Sequence, residues 1–179
     1  MEKGLTEVYC GTAKGKTTLA MGQSLRAATE GQSVIIIQFM KGKERQAMDF
    51  LQNLEDLDIK IFRFEKRDIC YDELDDQEKA EEKQNILNGL NFARKVVATQ
   101  ECDVLVLDEI LGLLDSGIAE VDTMADILKL KREPMHIIMT GRELPETLRS
   151  YVDCVTTLTM ETPMETPECE NSNKSFTEE

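Results

Sequence analysis

The segment VYCGTAKGKTTLAMG, Val8 to Gly22, joins an apolar run to a helical one through a turn of glycines and lysines. Residues of those types at that spacing bind phosphate. A tight glycine turn aims backbone N–H groups, and the positive end of the following helix, at phosphate oxygens. The pattern GxxxxGK[ST] is met at Gly15, Lys16 and Thr17, while Cys10 stands where its first glycine belongs and the glycine falls at Gly11. Lys16 then neutralises phosphate charge, and the Thr17 hydroxyl is placed to ligate Mg²⁺. Gly11, Thr12, Ala13, Lys14, Gly15, Lys16, Thr17 and Thr18 are the expected phosphate-binding residues, Lys14 being equally readable as a solvated lysine.

Such a site needs a second group for the metal, usually an acid at the end of a buried strand. VLVLDEI supplies Asp108 and Glu109 after four apolar residues, a place where an acidic pair is costly to bury without a cation. Either carboxylate could hold Mg²⁺, directly or through water, and Glu109 could instead act as a base on water. Thr17, Asp108 and Glu109 are therefore the candidate metal site, and Lys16 and Glu109 the candidate catalytic residues. Two more cations follow apolar runs: Lys41 after VIIIQ in FMKG, and Arg142 after HIIMT in GRE. Both would face the crevice that holds the phosphate loop. Hydrolysis, phosphoryl transfer and a less ordinary use of the phosphate remain open on these residues. His136 opens a buried strand and reads as structural.

The elements that must position these groups are legible as periodicity. Val34 to Gln38, Val104 to Asp108 and His136 to Thr140 read as strands buried on both faces. Thr6 to Cys10, Ile59 to Phe64 and Cys154 to Leu158 are weaker strand candidates, the last alternating as an edge strand does. Helical patterns cover Thr17 to Thr29, Asp75 to Thr99 and Val121 to Leu130. Strands thus alternate with helices, which predicts an α/β fold: a mainly parallel sheet of about six strands with helices on both faces. The acidic run Tyr71 to Lys83 reads as a solvated helix start.

With 179 residues and 41% hydrophobic positions, one packed domain is expected, over 1–160. Residues 161–179 form an acidic tail with an ETP repeat and no apolar period, expected to be mobile. A formal charge of -14 argues against nucleic-acid and anionic-membrane partners. The five cysteines form no CxxC pair and the chain has a single histidine, so no zinc site is expected. No apolar run approaches a membrane span or a signal peptide, and a cytoplasmic chain with reduced thiols is expected.

GTAKGKTTLAMGQSLRA, IIIQFMKG, VLVLDE and IIMTGR, in this order, resemble the ATP:corrinoid adenosyltransferases that carry a phosphate loop, over roughly Thr6 to Leu158. The resemblance implies a three-layer RecA-like fold and an adenosyl transfer from ATP to the cobalt(I) of a corrinoid, with Mg²⁺ as cofactor and triphosphate as leaving group. It implies that ATP lies in the loop in reversed direction. It also implies a nucleotide contact at Arg26, a homodimer, and an electron-donating flavoprotein as partner. The chain departs from the family at Ala13, where relatives carry glycine. It has no tryptophan, leaving Phe62, Phe64 and Tyr71 as aromatic candidates for the corrin face, and its tail is acidic where relatives are basic. Two other functions compete: a phosphate-loop NTPase or small-molecule kinase, and a non-catalytic sensor or carrier of ATP or corrinoid.

Overall fold

The structure, a computed structural model, describes residues 3–39, 54, 56–64 and 74–161. Six strands form one sheet: β1 (Thr6–Cys10), β2 (Val34–Gln38), β3 (Ile59–Arg63), β4 (Val104–Asp108), β5 (His136–Thr140) and β6 (Cys154–Thr157). Their order is β3-β2-β4-β5-β1-β6, and every pairing is parallel. The helices are α1 (Lys16–Thr29), α2 (Asp76–Thr99), α3 (Ile110–Asp115) and α4 (Val121–Lys129), with a 3-10 helix at Glu146–Tyr151.

Side chains of successive strand residues point to opposite faces, so each apolar run feeds two cores. On one face Ile36, Val106 and Ile138 pack with Ala20, Ala27 and Ala28 of α1. On the other, Ile37, Leu107 and Met139 pack with Ile86, Leu90 and Ala93 of α2 and Met124 and Ile127 of α4. The central strands β2 and β4 are buried at every position, whereas β6 is largely exposed, as an edge strand should be. This is the three-layer RecA-like phosphate-loop arrangement expected from the sequence.

α2 starts where the acidic run places it. The Asp75 carboxylate accepts the Glu78 N–H at 2.8 Å and the Glu78 carboxylate accepts the Asp75 N–H at 3.0 Å, a reciprocal cap on a largely exposed first turn. Further along α2, a side chain at Gly89 would come within 2.6 Å of the Phe64 ring and 2.7 Å of Phe39. Glycine there lets the helix cross close to the end of β3. Phe62 and Phe64 pack against Phe92 in tilted contacts with ring centroids 4.6 Å and 5.8 Å from it, half-buried against the core; Tyr71 lies outside the described residues. α3 and the 3-10 helix have no counterpart in the sequence reading. ILGLLD begins one residue after β4, beyond Glu109, and is too short and too apolar for a helical period to show.

Candidate functional site

The phosphate-loop residues, Asp108, Glu109 and Arg142 sit at or near the carboxyl ends of the strands, the edge of a parallel sheet where ligands bind. β1 delivers the chain into the phosphate loop. Gly11 and Gly15 hold left-handed backbone, with φ of 112° and 102°. A Cβ at Gly11 would lie 2.1 Å from the Leu158 carbonyl oxygen, so both backbone angle and space demand glycine at that place. Cys10, by contrast, is still strand: it pairs with Thr157, is buried, and its Sγ lies 3.6 Å from the Thr157 hydroxyl. The loop's first glycine is therefore Gly11, the residue after the end of β1.

The loop is tied down by its neighbours. The Gly11 amide donates to the Arg142 carbonyl at 2.8 Å and the Ala13 amide to the Leu158 carbonyl at 3.2 Å. Those two amides are thus committed within the protein. Thr12, Lys14, Gly15 and Thr18 are exposed, Lys16 and Thr17 half-buried, and Ala13 buried. The Lys16 ammonium turns back into the loop, donating to the carbonyls of Gly11 at 2.8 Å and Ala13 at 2.7 Å. Gly15 is the N-cap residue of α1 and supplies no side-chain cap, and the first-turn amides of a helix have no intrahelical acceptor.

Asp108 is fully buried at the end of β4 and takes hydrogen bonds from three elements. Its Oδ1 accepts from the hydroxyls of Thr17 at 3.0 Å and Thr140 at 2.8 Å; its Oδ2 accepts from Gln38 Nε2 at 3.1 Å. The Gln38 carboxamide oxygen in turn accepts from Arg63 Nε at 3.2 Å. Glu109 follows in left-handed backbone, φ 62°, a conformation that costs a residue with a side chain about 1 kcal/mol or more. Its amide donates to the Thr140 hydroxyl at 2.8 Å, and its side chain is half-buried beside α3.

The donors gathered here fit a hard divalent cation. They are a hydroxyl and carboxylates, and no group of three or more His, Cys, Asp and Glu that could hold a metal occurs among the described residues. An ion of the Mg²⁺ kind, which keeps waters and takes phosphate oxygens, needs no more from the protein.

A family model described as ATP:corrinoid adenosyltransferase BtuR/CobO/CobP matches residues 2–165. The chain belongs to the ATP:corrinoid adenosyltransferase family. It is 26% identical to a corrinoid adenosyltransferase of Pseudomonas aeruginosa, over 89% of this chain and 76% of the relative. With the corrinoid adenosyltransferase of Escherichia coli K12 it shares 23% identity over 88% and 77%. It is also 31% identical to protein all2391 of Nostoc sp., over 84% of this chain; there it spans 42% of the relative's length. Among solved structures, the flagellar accessory protein FlaH of Methanocaldococcus jannaschii has the same fold, with TM-score 0.56, 17% identity, and coverage of 90% of this chain and 75% of that one.

In this adenosyltransferase-family chain the other sequence-assigned residues are spread more widely. Arg142 is exposed beside the loop that its carbonyl anchors; burial, and then Glu143, raise the Asp115 carboxyl above its ordinary value, and Arg142 only partly offsets them. Arg26 lies about 15 Å along α1 from Lys16. It is paired with Glu30 at 3.1 Å and lines a groove of about 530 Å³ with Gly15, Thr18, Leu19, Gly22 and Gln23. That groove links it to the loop. Lys41 lies outside the described residues. His136 accepts the Leu5 N–H on Nδ1 at 3.3 Å, at the opposite end of β5 from the site.

Gln38, Arg63 and Thr140 are brought to the acid pair without having been singled out from sequence. The available signal was positional: VIIIQ and HIIMT end on a polar residue just where VLVLD ends on Asp108. A polar side chain closing an otherwise apolar parallel strand is placed to face whatever the carboxyl edge binds.

Proposed function

We propose that this chain transfers the 5′-deoxyadenosyl group of ATP to the cobalt(I) of a corrinoid. The observation that carries it is the junction of the phosphate loop with the Asp108–Glu109 strand end, Thr17 bonded to Asp108 at 3.0 Å, in a chain of this family. Cobalt(I) supplies the electron pair of the new cobalt–carbon bond; the bond between C5′ and O5′ breaks, and its pair leaves with inorganic triphosphate. Cobalt is formally oxidised from the +1 to the +3 state.

The leaving group is an anion, so the useful work is charge stabilisation and alignment. Lys16 exchanges its carbonyl partners for phosphate oxygens. The first-turn amides of α1 supply further donors, with Thr12, Lys14 and Thr18 on the exposed face and Arg142 at the rim. Lys41 is assigned to the same crevice from sequence. Arg26 reaches the nucleotide along the groove on α1, at the expense of its Glu30 pair. Thr17 and Glu109 would hold Mg²⁺, with Asp108 contacting it through water or acting only through Thr17. Mg²⁺, when bound, neutralises triphosphate charge. Cobalt(I) needs no general base.

Residues 1–160 serve as the catalytic unit, and the chain works as a homodimer. A flavoprotein reduces the corrinoid, and the reaction is cytoplasmic. No helix among the described residues is long and apolar enough to cross a membrane.

The test is an anaerobic incubation with Mg-ATP and chemically reduced cobalamin, following the corrin spectrum and the phosphorus products together. A cobalt–carbon bond formed with inorganic triphosphate is the expected result. ADP and phosphate with an unchanged corrin would instead identify an NTPase, and binding without turnover a sensor or carrier.

A further inference from the structure

A polar chain runs across the carboxyl end of the sheet from its β3 edge to α1. Arg63 Nε donates to Gln38 Oε1 at 3.2 Å, Gln38 Nε2 to Asp108 Oδ2 at 3.1 Å, and Thr17 Oγ1 to Asp108 Oδ1 at 3.0 Å. Strand register builds two of these links, because Gln38 lies opposite Arg63 on one side and opposite Asp108 on the other. Burial deepens along it, from half-buried Arg63 through Gln38 at 4% exposure to Asp108 at 0%.

The residue type at 38 is specific to this arrangement. A carboxylate only accepts hydrogen bonds and a guanidinium only donates them, whereas a carboxamide has one end of each kind. With Arg63 on its oxygen, the Gln38 amide has a single productive orientation, its nitrogen on Asp108 Oδ2. That fixes the plane of the Asp108 carboxylate and directs Oδ1 to Thr17 and Thr140.

We propose that Gln38, oriented by Arg63, is a positioning residue for Thr17. Through Asp108 it fixes the direction in which the Thr17 hydroxyl donates, with its hydrogen engaged on Oδ1. This rests on the assignment of Thr17 to Mg²⁺ made above.

The test is calorimetry of ATP binding to the full chain, once with Mg²⁺ and once with EDTA. Gln38→Met keeps the length and loses both polar ends. It is expected to weaken ATP about tenfold with Mg²⁺ and to leave binding in EDTA within about twofold. Arg63→Met is expected to give a smaller loss confined to the Mg²⁺ condition. The double variant should lose no more than Gln38→Met, since links in series do not add. Equal losses in the two conditions, or additive losses in the double variant, overturn the relay. Should Gln38→Met fail to fold, Arg63→Met decides by itself, and no loss or a loss shared by both conditions overturns the proposal. An unmodified protein whose ATP affinity ignores Mg²⁺ would remove the metal assignment first, and the relay with it.

Discussion

Replacing Thr140 by valine keeps the shape of the side chain and removes one oxygen. That oxygen donates to Asp108 Oδ1 and accepts the Glu109 N–H, both at 2.8 Å, where Thr140 and Asp108 are 0% exposed. A hydrogen bond to a charged acceptor contributes about 1.5–3 kcal/mol, and a buried amide left without a partner costs about 1–3 kcal/mol. The apolar methyl of valine returns about 1 kcal/mol. A net loss of about 3 kcal/mol follows, which for a domain of this size lowers Tm by about 6–12 °C. Thr140→Ser keeps the oxygen and loses one methyl group, worth about 1 kcal/mol, or about 2–4 °C.

Thermal and urea unfolding of the two variants checks the stability, and ATP titration with Mg²⁺ and with EDTA checks the site. The Glu109 amide bond is part of what holds that residue in left-handed backbone, so Thr140→Val should weaken the Mg²⁺-dependent part of ATP binding and Thr140→Ser should not. A Thr140→Val protein melting within about 2 °C of the parent, or a Thr140→Ser protein equally damaged, would refute the reasoning, because the oxygen would then not be what matters.

Lys16→Ala is expected to abolish ATP binding in calorimetry while Tm moves by less than about 3 °C, since the bonds it removes are to loop carbonyls; retained binding would contradict the phosphate-loop assignment. Glu109→Gly relieves the backbone at φ 62° and should raise Tm by about 2–4 °C while Mg²⁺-dependent turnover falls at least about tenfold; a fall in Tm would show that the turn stores no strain. Glu109→Gln should reduce Mg²⁺-dependent turnover more than nucleotide affinity and recover with excess Mg²⁺; a loss that Mg²⁺ cannot restore would favour a base. Asp153 is held below its ordinary value of 3.8 by the Thr6 N–H first and by Lys3 second, so its contribution is present above that value and lost as pH falls through the folded pKa. Asp153→Asn should therefore be less stable at neutral pH and decline less on acidification, and urea midpoints that run parallel to the parent's would count against it.

The strands were legible because each is a short apolar run closed by a polar or turn residue: VIIIQ, VLVLD and HIIMT coincide with β2, β4 and β5. β3 and β6 each end one residue earlier than their patterns, at Arg63 and Thr157. The phosphate loop and the acid pair were legible for the same local reason. What local pattern could not show was pairing across the sheet. Gln38 matters through Asp108, 70 residues away, and Gly11 replaces Cys10 as the loop's glycine because Leu158 approaches it from the far end of the chain. Both facts depend on which strands are neighbours, and that order is set by the whole fold.

The way Asp108 is held also bears on the choice between hydrolysis and alkyl transfer. Its two oxygens accept from Thr17, Thr140 and Gln38, which makes it an anchor for a hydroxyl and a poor candidate to receive a proton from substrate. A hydrolase would then have to place its entire base function on Glu109. Adenosyl transfer asks for no base at all: the attacking atom is an electron-rich metal, the departing group is already an anion, and the protein's task is to hold that anion still. A buried carboxylate fixing a threonine hydroxyl, one half-buried carboxylate at the site, and a lysine folded into a loop of carbonyls are sufficient for that task. Hence a Glu109→Gln protein that regains turnover with excess Mg²⁺ would favour alkyl transfer over hydrolysis.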